Sequence, residues 1–212
     1  MIVTEAVHSY LDGLRPAPDP VLAEMEAQAA REGIPIVVPE TGALLHVLAL
    51  AHGARRIVEI GTAIGVSTLY LARALAPGGV VVSFEIDAQR HAAARDYLDR
   101  AGVLERTDLR LQDARAGLDS LSGPFDMAFV DGVKSQYVDY VELLLPLLGA
   151  GAVLAVDNTL MSGAVAEGRG DGHWSDEQVA TARALNERLL GDQQLTGTVT
   201  PVGDGVLVAV RR

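Results

Sequence analysis

The chain has 212 residues, 17 basic and 28 acidic, for a formal net charge of −11, and its basic set is sixteen arginines plus one lysine, Lys134. Such an acidic balance excludes a broad basic face for nucleic acid and a polybasic membrane contact, and the absence of cysteine excludes disulfides, thiolate metal sites and a cysteine nucleophile. With 49% apolar residues the chain can bury a real core, and at about 150 residues per domain it makes one domain or a small pair.

The opening MIVTEAVHSY shows no basic segment followed by an apolar stretch, and no apolar run approaches the ~18 residues of a membrane span. We therefore expect a soluble cytoplasmic protein without a nucleic-acid or membrane partner. Val3, Val7, Leu11 and Leu14 recur at helical spacing. Pro16, Pro18 and Pro20 break that pattern, and Asp19 before Pro20 predicts an N-cap with proline at the first helical position. The second helix should run to about Gly33. IPIVVP reads as short and extended. From Glu40 to His52 the pattern is helical and apolar on most sides, which predicts a buried helix.

From Arg55 the chain alternates. RRIVEI, VVVSFE, TDLRL, FDMAFV and GAVLAV read as strands, and VSTLYLARALA, AQRHAAARDYLDRA and YVDYVELLLPLL as helices. Continuous apolar strands separated by helices predict a parallel sheet covered on both faces. Ser175 followed by Gln178 opens one more helix with a capping-box pattern. LTGTVTPVGDGVLVAVRR closes as two antiparallel strands around a Gly-Asp-Gly turn. Residues 162–174, with four glycines, read either as a solvated loop or as a mobile cover over a site.

In an open parallel sheet ligands bind beyond the carboxyl ends of the strands. The first strand runs into Glu59-Ile60-Gly61-Thr62-Ala63-Ile64-Gly65, a tight glycine turn that differs from G-x-G-x-x-G. The missing diphosphate cradle points to a nucleoside ligand smaller than a dinucleotide. Glu85 ends the second strand, where an acid can accept hydrogen bonds from ribose hydroxyls. FDMAFV delivers Asp131 and GAVLAV delivers Asp157-Asn158 to the same sheet edge. Neighbouring strands lie about 5 Å apart, so two carboxylates and an amide oxygen would converge. That is hard-oxygen ligation suited to Mg²⁺, with Mn²⁺ or Ca²⁺ as alternatives. The competing reading makes these residues helix N-caps.

Lys134 follows Asp131 by three residues. Arginine stays protonated in proteins, whereas lysine can release its proton, and a neighbouring divalent cation favours the neutral amine. Lys134 is the candidate general base. The five histidines show no metal-ligand pair at helical spacing; His173-Trp174 could line a pocket, as could Tyr137 and Tyr10.

Together these segments resemble the cation-dependent O-methyltransferases of the catechol and caffeoyl-coenzyme A type, which use S-adenosylmethionine. VVPETGALL is similar to the family segment before the cofactor strand and VEIGTAIGVSTL to its cofactor motif. VVSFEID, LRLQDAR, VDGVKSQY, VDNTLMSG and PVGDGVLVAVRR resemble its ribose, adenine, metal–lysine, second metal and terminal segments. The resemblance implies a Rossmann-like class I methyltransferase fold: a seven-stranded, mostly parallel sheet with an antiparallel last strand and helices on both faces. It implies one domain over residues 1–212, with residues 1–54 covering the site or forming a homodimer contact and 55–212 as the core. It implies cofactor contacts from Val38, Glu59, Gly61, Ser67, Glu85, Asp113, Ala114 and Asp131, metal ligands Asp131, Asp157 and Asn158, and Lys134 as catalytic base. The implied reaction is methyl transfer from S-adenosylmethionine to a hydroxyl of a catechol-like small molecule. A metal-independent methyltransferase or a nucleotide-dependent oxidoreductase is the alternative on the same fold. Met161 stands where the plant enzymes carry tryptophan, so acceptor identity does not carry over.

Overall fold

The computed structural model describes residues 4–212, which leaves Val3 outside the described residues. Helix α1 (Glu5–Leu14) has no buried side chain. It is tied down by Arg15, whose guanidinium donates to Glu26 at 2.5 Å, and by His8 beside Glu40 at 3.8 Å. In α2 (Pro20–Glu32) the Asp19 carboxylate accepts from the N–H groups of Val21 and Leu22, and Gly33 closes the helix in the left-handed region. A cap of this kind contributes about 1 kcal/mol. Residues 34–38 are irregular. Helix α3 (Pro39–His52) buries Thr41, Gly42, Leu45 and Ala49. Its opposite face leaves Val47 and Leu50 exposed, so the helix expected to be buried is buried on one face only.

Seven strands follow, β1 (Arg56–Ile60), β2 (Val80–Glu85), β3 (Thr107–Leu111), β4 (Phe125–Val130), β5 (Leu148–Val156), β6 (Leu195–Thr200) and β7 (Val206–Arg211). They form one sheet in the order β3-β2-β1-β4-β5-β7-β6. All pairings are parallel except those of β7, which runs antiparallel to both β5 and β6. Composition sets these places. The interior strands β1, β4 and β5 end in unbroken buried runs, whereas the edge strands TDLRL and LTGTVT are half exposed or exposed along most of their length.

Alternate side chains of one strand feed two separate cores. Ile57, Met127, Phe129, Val153 and Ala155 pack with Met25, Leu45, Leu69 and Leu98. These come from α2, α3, α4 (Val66–Ala74) and α5 (Ala88–Arg100). Val58, Ala128, Val130, Leu154 and Val156 point the other way, onto Leu118, Val141, Leu144 and Leu185. Those belong to α6 (Ala114–Leu118), α7 (Tyr137–Leu144) and α9 (Asp176–Gly191). Each Val, Leu, Ile, Phe or Met side chain among these contributes about 1.5–3 kcal/mol when fully buried. α6 is absent from the periodicity. Residues 161–167 are also more ordered than their glycine content predicts. They form a short 3₁₀ turn and α8 (Ala164–Glu167), and Met161, Ala164, Val165 and Trp174 make a third small core with Val179 and Ala182 of α9. Among the described residues, no helix is long and apolar enough to cross a membrane.

Candidate active site

Strand order reverses at β1, which pairs with β2 on one side and β4 on the other, and a cavity of about 610 Å³ opens beyond the carboxyl ends of these strands. That is the expected ligand position in such a sheet, and the volume lies within the usual range for small-molecule sites.

One end of the cavity is backbone. After β1 the chain enters Gly61 at φ +96°, and the N–H groups of Gly61 and Thr62 both donate to the Phe84 carbonyl at 3.1 Å. A Cβ on Gly61 would sit 2.2 Å from the Asp131 carbonyl oxygen. Glycine is thus required by conformation and by the close passage of the β4 end. Glu85 accepts from the N–H groups of Ala63 (2.7 Å), Ile86 and Asp87 (2.8 Å each). A carboxylate has about four lone-pair positions, so it is fixed in place with room for one more donor. Asp113 and Ala114 line the same end. The Arg115 guanidinium holds the Asp113 carboxyl below the usual range, and Asp113 also caps α6 through the Arg115 N–H at 2.8 Å.

Beneath the turn lies Glu59, fully buried. It accepts hydroxyl hydrogen bonds from Ser83 at 2.6 Å and from Thr68, while its Oε1 has no partner. Burial pushes this carboxyl up, against the opposing pull of the Ser67, Ser83 and Thr68 hydroxyls. Glu59 does not line the cavity, where the sequence expected a cofactor contact from it; it holds the Thr68 and Ser83 hydroxyls in the interior. Ser67 itself lines the cavity.

The other end carries charge. Val130 and Val156 are register partners in the parallel β4–β5 pair, so Asp131 and Asp157 emerge side by side. The Asp157 N–H donates to the Val130 carbonyl at 3.0 Å and the Asp131 N–H to the Ile60 carbonyl at 2.9 Å. Lys134 Nζ donates to Asp131 Oδ1 at 2.6 Å. Asp157 is buried, and burial followed by the charge of Asp131 pushes its carboxyl well above the ordinary range. Asn158 adopts φ +56°, and its N–H donates to Asp157 Oδ1 at 2.8 Å. Asp131, Lys134, Asp157 and Asn158 all line the one cavity. Neither Asp131 nor Asp157 caps a helix.

Val38 is not part of this wall: it is exposed at the N-cap of α3, and its buried neighbour Val37 lines the cavity instead. Tyr137 is buried behind the site and Tyr10 is exposed on α1. Tyr140 takes the lining place expected of Tyr137. His173 and Trp174 do line the cavity, and Arg90, Gln112, Gln178 and Asp204 join them. The sequence assigns these last four no place in the cavity: Gln112 lies in LRLQDAR, Gln178 reads as half of a capping box and Asp204 as part of the Gly-Asp-Gly turn and terminal segment. His8 belongs to an exposed surface cluster with Asp12 and Glu40.

A family model described as O-methyltransferase matches residues 17–212. A catechol O-methyltransferase of Mycobacterium tuberculosis is 36% identical over 190 residues, covering 88% of this chain and 83% of that protein. One from Niastella koreensis is 32% identical, covering 98% and 97%. Among solved structures, an O-methyltransferase from Bacillus cereus in complex with S-adenosylhomocysteine superposes with a TM-score of 0.86 at 30% identity, over 98% of this chain and 97% of that one. TomG from Streptomyces achromogenes, in complex with S-adenosylmethionine, gives 0.83 at 33% identity over 99% of each chain. Strand order, cavity and likeness agree, and the chain belongs to the O-methyltransferase family, as an S-adenosylmethionine-dependent enzyme of the class I fold.

Proposed function

We propose that this enzyme methylates one hydroxyl of a vicinal dihydroxy-aromatic small molecule, with a divalent cation, Mg²⁺ first among candidates, held by Asp131, Asp157 and Asn158. The observation that carries the reading is that these three residues and Lys134, whose Nζ lies 2.6 Å from Asp131, line the cavity that also holds the Gly61 turn and Glu85. The donor set suits a hard cation. Asp157 fits it as well, because a buried carboxyl beside Asp131 is costly to ionise until a positive charge faces it. When bound, the cation would act as a Lewis acid toward two adjacent substrate oxygens and lower the pKa of the reacting hydroxyl.

The remaining work falls to the chain. Glu85 accepts from the ribose, Asp113 and Ala114 border the adenine, and Gly61 and Ser67 border the methionine moiety. Lys134 takes the proton of the acceptor hydroxyl as the carbon–sulfur bond breaks and the oxygen–carbon bond forms. His173, Trp174 and Gln178 border the acceptor. The names of the Mycobacterium tuberculosis and Niastella koreensis relatives support a catechol-type acceptor. We further propose that the chain works as a single domain and as a homodimer, since Val7, Tyr10, Leu11 and Leu14 leave an apolar surface on α1.

The test is a methyl-transfer assay over vicinal dihydroxy-aromatics. Excess chelator should abolish turnover and added Mg²⁺ should restore it. Full activity in excess chelator would favour a metal-independent methyltransferase and end the cation reading.

A further inference from the structure

The segment after β5 is strained. Asn158, Met161 and Ser162 all have positive φ, at +56°, +47° and +53°. Such a conformation is unfavourable for a non-glycine residue and persists only where the surroundings over-determine it. Here the surroundings are the β6–β7 turn. The Thr159 N–H donates to the Gly205 carbonyl, and the Leu160 and Met161 N–H groups both donate to the Asp204 carbonyl, each at 2.9 Å. The Ser162 hydroxyl donates to Asp204 Oδ1 at 2.6 Å. The turn approaches so closely that a Cβ on Gly205 would meet Leu160 N at 2.6 Å. From the other side, Asn186 Nδ2 donates to the Thr159 carbonyl at 2.8 Å.

We propose that Asp204 is a positioning residue that clamps the strained segment 158–162 and so keeps Asn158 beside Asp157. Its main-chain carbonyl holds two successive N–H groups and its side chain holds the next residue's hydroxyl. Asp157, the first residue past β5, is fixed by its N–H bond to the Val130 carbonyl, whereas Asn158, one residue further out, is oriented by this segment together with its own N–H bond to Asp157 Oδ1. The inference rests on the reading of Asp131, Asp157 and Asn158 as the cation-holding set.

The experiment measures Mn²⁺ binding to the full chain by calorimetry and by electron paramagnetic resonance, without acceptor. Loss of one hydrogen bond to a charged group predicts a rise in the Mn²⁺ dissociation constant of about tenfold for Asp204→Ala. Ser162→Ala removes the same bond from its other end and should rise by a similar factor. The double variant should be no weaker than either single one. In Asp204→Asn the amide oxygen can still accept from Ser162, so binding should return to within about threefold of wild type, below the loss assigned to the bond. S-adenosylhomocysteine affinity should be unchanged in all of them. If Asp204→Ala fails to fold, Ser162→Ala decides alone. Wild-type Mn²⁺ affinity in both single alanine variants overturns the clamp, as does a loss in Asp204→Asn equal to that of Asp204→Ala, or an additive double variant. A wild-type chain that takes up no Mn²⁺ overturns the cation reading itself, and the clamp with it.

Discussion

Replacing Gly61 by alanine tests whether the glycine turn after β1 and the end of β4 are one mechanical unit. The new Cβ would lie 2.2 Å from the Asp131 carbonyl oxygen and 2.8 Å from its carbon. An ordinary carbon–oxygen contact needs about 3.3 Å, so one side must move by about 1 Å. The main chain at φ +96° adds about 1–2 kcal/mol of left-handed strain, and crowding in a packed site adds about 1–3 kcal/mol. For a chain of this size about 3 kcal/mol lowers Tm by about 6–12 °C. A misplacement of about 1 Å also costs on the order of a hundredfold in rate, which kcat/KM with a fixed acceptor should register. Gly78→Ala separates the two contributions. Gly78 has φ +76°, and a Cβ there would meet nothing within 4 Å, so strain alone acts. Gly61→Ala should therefore melt below Gly78→Ala and lose activity that Gly78→Ala keeps. Equal losses of Tm in the two variants, with activity retained in both, would refute the steric reasoning.

Two further outcomes follow from the charged groups. Lys134→Arg keeps a cation beside Asp131 but removes the group able to accept a proton, so kcat should fall by about a hundredfold or more while KM for S-adenosylmethionine changes little. Steady-state kinetics near neutral pH check this, and an unchanged kcat would remove Lys134 from the proposed role. Burial raises the Glu59 carboxyl above its ordinary 4.5, so the folded chain holds this proton more tightly than the unfolded one. Its contribution to stability is then fully present below 4.5 and lost as pH rises through the raised value. Glu59→Gln lacks that loss. The Tm difference between variant and wild type should shift in favour of the variant as pH rises above 4.5, and a flat or opposite trend in thermal melts contradicts it.

The sheet was legible because its interior strands are unbroken apolar runs, and a parallel arrangement puts the residue after each run on one edge. That is why Asp131 and Asp157 could be paired before any register was known. The same logic fails where no period exists. IPIVVP has no alternation to say whether Val37 or Val38 faces inward, and the irregular backbone chooses Val37. α6 spans five residues, too few for a 3.6-residue repeat to show. Tyr137 and Tyr140 share one helix face, and only the packing of α7 on the sheet decides that Tyr140 borders the cavity. Asp204 was hidden for a topological reason: its turn reaches Leu160 only because β7 is inserted next to β5. Residues 168–174 are the irregular loop that their glycines suggest, whereas at 162–167 composition hid the packing of Ala164 and Val165 with Met161 and Trp174.

The place of β7 also bears on how the chain reaches this state. β6 precedes β7 in the chain, yet among the described residues its one neighbour in the sheet is β7. Until β7 arrives, β6 has no native partner, and the open edge of β5 invites a direct but wrong pairing of the two. Such unpaired edges are the hazard of sheets assembled out of sequence order. Docking of β7 seals that edge and brings the Asp204 turn against Leu160 in the same movement. The pairing that closes the β5 edge thus also sets Asp204 at the cavity wall, so a substitution that loosens β7 from β5 should disturb the sheet edge and that wall together.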